Sequence, residues 1–266
     1  MKLVQNSKPE DKILAIDIRN HLVNGQFVIG NPALGLKKTL HKLETELEHT
    51  QDISAVDWQM SNGELIQKIA MTTAGIEGEE KLCDYLSRLV KYDDDLFGLV
   101  AFASLSYEQK FENLDYIPDT DVLLVYGKHV LILDAKNLKT SPYKEYRLEE
   151  SCTVDDKDKL VLELHPSTHI WRNAFDVAGI EVESIDGYVC IINKTPTNII
   201  RNEEWYNCDT KLIHANELRG ILHEWTKNKD NTLYLNLLVE IAKAQIREDK
   251  SDMNFDPSAI KRRLGL

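Results

Sequence analysis

The chain has 266 residues, a formal net charge of -12, 42% hydrophobic and 29% charged residues, the make-up of a globular protein able to bury one large core or two smaller ones. The longest apolar stretch, Leu96 to Leu105, is too short to span a bilayer, and the segment from Met1 to Lys12 lacks the apolar core of a secretory signal, so a cytoplasmic protein without membrane association is expected. Cys83, Cys152, Cys190 and Cys208 are scattered and form no CxxC pair, which argues against a zinc site or a disulfide framework and for buried or half-buried thiols.

The first third reads as helix. Ser7, Pro9, Glu10 and Asp11 open a helix that closes near Gly25. Leu36, Leu40, Leu43 and Leu47 then recur at helical spacing, a stripe that suits a core, a dimer seam or a docking face, and a third helix is expected over 53–70, interrupted near Asn62 and Gly63. From Gly75 the pattern turns to mixed α and β. A helix starting at Gly75 runs to about Lys91, and Asp93, Asp94 and Asp95 mark a loop. Strands are expected near 98–106, 121–126, 129–136, 145–149, 160–164 and 187–193, with a helix from Pro166 to Ala178 before the last. Helices close the chain: one capped by His214 and running to Trp225, one from Thr232 to Arg247, and a short basic one from Pro257 to Leu264. The domain reading is a helical region over 1–72, regulatory or oligomerising, followed by an α/β region over 73–266 in which a mixed α+β sheet carries packed helices.

Two of these strands carry charge where a sheet favours Val, Ile and Leu. Asp121 to Tyr126 and His129 to Lys136 flank Gly127 and Lys128, a two-residue hairpin turn with glycine first. If Tyr126 faces His129, Asp121 falls opposite Asp134, with Lys136 on the same face. Opposed like charges are destabilising, and a divalent cation would hold the two acids together. Mg²⁺ prefers oxygen ligands and keeps several waters, so Asp121 and Asp134, joined by the Ala135 carbonyl and by Glu79, which binds directly, through water or to a second ion, are the expected metal ligands. Lys136 would orient or help deprotonate an attacking water and offset negative charge. Glu80 and Asp119 are the alternatives to Glu79 and Asp121.

Net charge is the main objection to a nucleic-acid partner, because non-specific binding relies on basic groups neutralising phosphates. Between Lys128 and Arg147 the sign reverses, with Lys128, Lys136, Lys139, Lys144 and Arg147 set against Asp134 and Glu145. That strip suits either a solvated face or a phosphate-handling groove.

The set formed by Gly75, Gly78 and Glu79, then Asp121 leading an apolar strand, then Asp134, Ala135, Lys136 and Asn137 thirteen residues on, resembles the nuclease-related (NERD) domain branch of the PD-(D/E)xK, restriction-endonuclease-like superfamily. The resemblance covers roughly residues 73–226. It implies a restriction-endonuclease-like αβββαβ core, a Mg²⁺ or Mn²⁺ site, and metal-dependent nuclease activity on nucleic acid, DNA ahead of RNA. It makes Glu79, Asp121, Asp134 and Lys136 the catalytic set. Some positions depart from the family: Asp134 stands where Glu is commoner, and downstream, where Asn, Pro and Gln are usual, Pro166 matches but His165 and His169 replace the Asn and the Gln, which makes His169 an auxiliary candidate. The rival reading is a catalytically inactive module with the same fold that binds nucleic acid or a protein partner. In either reading the N-terminal helices could form a homodimer or hold a protein partner.

Overall fold

The computed structural model describes residues 8–48, 62–106, 119–137, 145–149, 159–163, 167–192, 198–199 and 210–245. In chain order the elements are α1 (Pro9–Val23), β1 (Val28–Ile29), α2 (Leu34–Glu48), α3 (Gly63–Tyr92), β2 (Val100–Ser106), β3 (Asp119–Tyr126), β4 (His129–Lys136), β5 (Glu145–Glu149), β6 (Lys159–Glu163), α4 (Ser167–Ala178), β7 (Ser184–Ile191), β8 (Asn198–Ile199), β9 (Thr210–His214), α5 (Leu218–Thr226) and α6 (Leu235–Lys243). Three-residue 3-10 turns over Asp94–Leu96 and Ala215–Glu217 precede β2 and α5. The fold is mixed α and β.

Six strands form the main sheet in the order β1, β2, β3, β4, β7, β9, and β5 sits between β6 and β8 in a second, three-stranded sheet. β2, β3 and β4 are antiparallel, while β7 pairs parallel to β4 and β9 parallel to β7. The alternation of β3 and β4 sorts their side chains into two layers. Leu123, Val125, Val130 and Ile132 pack with α1, α4 and α6 on one face, and Val122, Leu124, Leu131 and Leu133 pack with α3 and α5 on the other. Each fully buried side chain of this kind contributes roughly 1.5–3 kcal/mol.

The hairpin register is the one expected, with Tyr126 paired to His129 and the ladder continuing to Val122 and Leu133. Gly127 has φ +61, and a Cβ there would collide with the Asp230 carbonyl oxygen. Gly127→Ala is therefore expected to destabilise the fold by at least about 2 kcal/mol, from left-handed strain and overpacking together, as read from the denaturation midpoint.

The extent of one helix and the number of strands differ from the expectation. The helix expected from Gly75 begins at Gly63 and runs unbroken to Tyr92, across the expected domain boundary at residues 72 and 73. Residues before that boundary also enter the sheet, because β1 pairs parallel to β2. Strands β1, β8 and β9 were not expected. The leucine stripe of α2 is covered within the chain: Leu40 packs with Ile69 and Ile76 of α3, flanked by Leu36, Leu43 and Leu47. The expected helical residues 53–61, the basic helix near 257–264, Cys152 and Cys208 lie outside the described residues. Among the described residues no helix is long and apolar enough to cross a membrane.

Candidate metal centre

The hairpin brings Asp121, at the entry to β3, beside Asp134 and Lys136, at the exit of β4. One step beyond the last ladder pair, the Ala135 N–H donates to Asp121 Oδ2 at 2.7 Å. The carboxylate thus takes the place of a main-chain acceptor and closes the ladder end. Lys136 Nζ donates to Asp134 Oδ1 at 2.8 Å, whereas Asp134 Oδ2 is buried and has no hydrogen-bond partner among the described residues. A buried carboxylate oxygen left in that state costs about 1–3 kcal/mol or more.

Glu79 arrives from the other layer. The close approach of α3 to the end of β4 is set by Gly78, where a Cβ would lie 2.7 Å from the Asn137 Cβ. Asn137 Nδ2 in turn donates to the Ala74 carbonyl at 2.8 Å. This contact places Glu79, 6% exposed, within electrostatic range of Asp134, Asp119 and Lys136. The helix acid, both strand acids and the lysine are therefore brought to one end of the sheet.

Charge at this end is unbalanced, with three carboxylates against one ammonium. Burial, then Asp134 and Asp119, pushes the Glu79 carboxyl up to about 7, against the pull of Lys136 and a hydrogen bond from the Ala33 amide. Asp121 is also held well above the usual carboxylate range, by burial first and then by Asp134 and Glu79. For Lys136 burial disfavours the charge, but Asp134, Asp121 and Glu79 more than offset it, so the ammonium is held more firmly than in water. Like charges gathered out of water titrate together or recruit a cation.

The alternatives separate by position. Glu80 is exposed and pairs with Lys37 at 2.9 Å. Asp119 is exposed at the start of β3. His169 lies in the first turn of α4, but its side chain is outside the described residues, as is His165. Trp171 is buried, and its Nε1 donates to Thr120 Oγ1 at 3.0 Å, which packs α4 against the entry to β3. Burial pushes the Cys83 and Cys190 thiols up to about 12, so both are inert structural groups.

A second group escaped the sequence reading. Among the described residues, the trio whose ligand atoms all lie within 4.8 Å of one another is Asp93, Asp95 and His223; Glu79, Asp121 and Asp134 are set more widely. The run of three aspartates was visible, but its partner lies 130 residues away and only the fold joins them. Asp93 Oδ2 accepts from Arg219 Nε at 2.8 Å and lies 2.9 Å from His223 Nε2, and Asp95 is exposed. Asp93 is satisfied without an ion and clamps the end of α3 to α5. The hydrogen bond with His223, then that from Arg219, holds its carboxyl below the ordinary value of 3.8. A depressed native value stabilises the fold above the unfolded value and loses that effect as pH falls through the native one. Asp93→Asn is expected to lower the thermal midpoint at pH 7 and to leave it unchanged in strong acid.

No family model matches the chain, and no curated protein or solved structure matches it.

Proposed function

We propose that the chain is a cytoplasmic, metal-dependent phosphodiesterase that cleaves nucleic acid, DNA ahead of RNA, in the manner of the nuclease-related PD-(D/E)xK proteins its motifs resemble. The observation that carries the reading is the buried Asp134 Oδ2, which has no hydrogen-bond partner among the described residues and is set among Glu79, Asp121 and Lys136. Oxygen donors of this kind fit Mg²⁺ or Mn²⁺, and two carboxylates suffice when waters and phosphate oxygens complete the shell. The order α3, β2, β3, β4, α4, β7, with β2 to β4 antiparallel and β7 parallel to β4, supports the αβββαβ core that the resemblance implies.

In this reading Asp134 and Asp121 hold the ion, and Glu79 binds from α3. The ion supplies a polarised phosphate and an acidified water. Lys136, kept charged by its carboxylate neighbours, is suited to hold a phosphate oxygen or the attacking water and to offset the negative charge that builds at phosphorus. Because the ammonium is stabilised, charge stabilisation suits it better than proton abstraction. Asp121 has two tasks, since its Oδ2 also closes the hairpin ladder.

The test is incubation with single-stranded DNA, double-stranded DNA and RNA in Mg²⁺, Mn²⁺ or EDTA. Cleavage of at least one DNA form with Mg²⁺ or Mn²⁺ and none in EDTA is expected. No cleavage of any polymer, with no effect of metal on the thermal midpoint, favours the inactive binding module.

A further inference from the structure

Two residues beside the carboxylates adopt left-handed backbone although neither is glycine: Ala33 at φ +59 and Ser104 at φ +52. Residues with a Cβ occupy this region at a cost, and such strain persists where the surroundings hold it in place. Ser104 lies within β2 between the pairs Ala103–Val122 and Leu105–Thr120, so it falls opposite Asp121. Its backbone reverses the alternation of the strand. Ala101 and Ala103 pack with α3, whereas Leu105 joins Val100 and Phe102 in the opposite layer.

The Ser104 side chain reaches α2. Its Oγ, buried with the rest of the residue, accepts the Leu34 N–H at 3.0 Å. Leu34 opens α2, and the amide just before it, that of Ala33, is the one donated to the Glu79 carboxylate. Lys37, one turn along, closes the same junction by pairing with Glu80 at 2.9 Å and donating to the Pro32 carbonyl at 2.8 Å.

We propose that Ser104 is a positioning residue of the carboxylate cluster: its hydroxyl fixes the first turn of α2, so that the Ala33 amide holds Glu79, while its left-handed backbone sets the strand opposite Asp121. The inference rests on the metal-site reading above and extends it, because the segment from β1 through the start of α2 becomes part of the metal centre. Residues that orient metal ligands change metal affinity when replaced, even though they never touch the ion.

Mn²⁺ binding to the full chain, followed by electron paramagnetic resonance, tests this with Ser104→Ala and Ser104→Gly. Both variants lose the hydroxyl acceptor, but glycine accepts the left-handed backbone, so Ser104→Gly is expected to keep a higher thermal midpoint than Ser104→Ala. The expected result is about 10–100-fold weaker Mn²⁺ binding in both variants, even where the glycine variant is as stable as wild type. Wild-type affinity in Ser104→Gly overturns the positioning role alone. Absence of Mn²⁺ binding by the wild type overturns the metal-site reading, and this inference with it.

Discussion

Replacing Lys136 with methionine is expected to slow metal-dependent cleavage about 10³-fold while leaving Mn²⁺ binding as tight as in wild type or tighter. The two effects part because of where the ammonium sits. It is 2.8 Å from Asp134 Oδ1 and within electrostatic reach of Asp121 and Glu79, so it competes with a bound cation for the same negative charge. Removing it leaves the carboxylates with less positive charge around them and a stronger demand for an ion. Methionine preserves the apolar stem, which is the part a half-buried lysine packs. If Lys136 served only to neutralise Asp134 in an inert fold, its replacement would change stability and metal response together and there would be no cleavage to lose. Cleavage rates and Mn²⁺ titrations on the same preparation separate the cases.

The second large effect is a dependence of stability on pH that metal removes. The Glu79 carboxyl is raised from 4.5 to about 7 in the native state, so the folded chain holds this proton more tightly than the unfolded chain. Stability from this group is fully present below about pH 4.5 and is lost as pH rises through about 7. At about 1.4 kcal/mol for each tenfold change in proton affinity, the loss is roughly 3 kcal/mol. Chemical denaturation of metal-free protein between pH 5 and 8 is expected to show that decline. Glu79→Gln is expected to reduce it and to be the more stable form at pH 8. Saturating Mg²⁺ is expected to flatten it too, since ligation favours the ionised carboxylates and stabilises the native state by mass action. A wild-type profile unchanged over this range would place Glu79 in a more solvated setting than its 6% exposure indicates.

Much of the site was legible because strand chemistry is local. A glycine-first two-residue turn between apolar runs fixes the register, and the register fixes which acids meet, so the approach of Asp121 to the Asp134 strand followed from Gly127 alone. The continuity of α3 was hidden by the same residue type. Gly75 and Gly78 read as a helix start, yet they lie inside the helix, where their lack of a side chain admits Leu36 and Asn137. β1 has two residues and gives no periodic signal. In β9 Leu212 and Ile213 are both buried, so the strand lacks alternation, and its last residue, His214, caps the following turn, which made the segment look like the entry to a helix. Neither Ala33 nor Ser104 is a residue type that announces left-handed backbone, and the contact between α2 and β2 that sustains it spans 70 residues. The helical front read as an accessory for this reason. Its junction with the carboxylates is made entirely by tertiary contacts.

The most direct test of a cation site at the carboxylates is a calorimetric Mn²⁺ titration at pH 6.5 in two buffers of different ionisation enthalpy, which counts ions bound and protons released. With Glu79 raised to about 7, most chains carry that proton at pH 6.5. The expected result is about one ion per chain with net proton release, the release reduced in Glu79→Gln and the binding lost in Asp134→Asn. Binding that survives Asp134→Asn but not His223→Ala would place the ion at Asp93, Asp95 and His223 instead, and a titration without heat in either buffer would contradict a metal centre altogether.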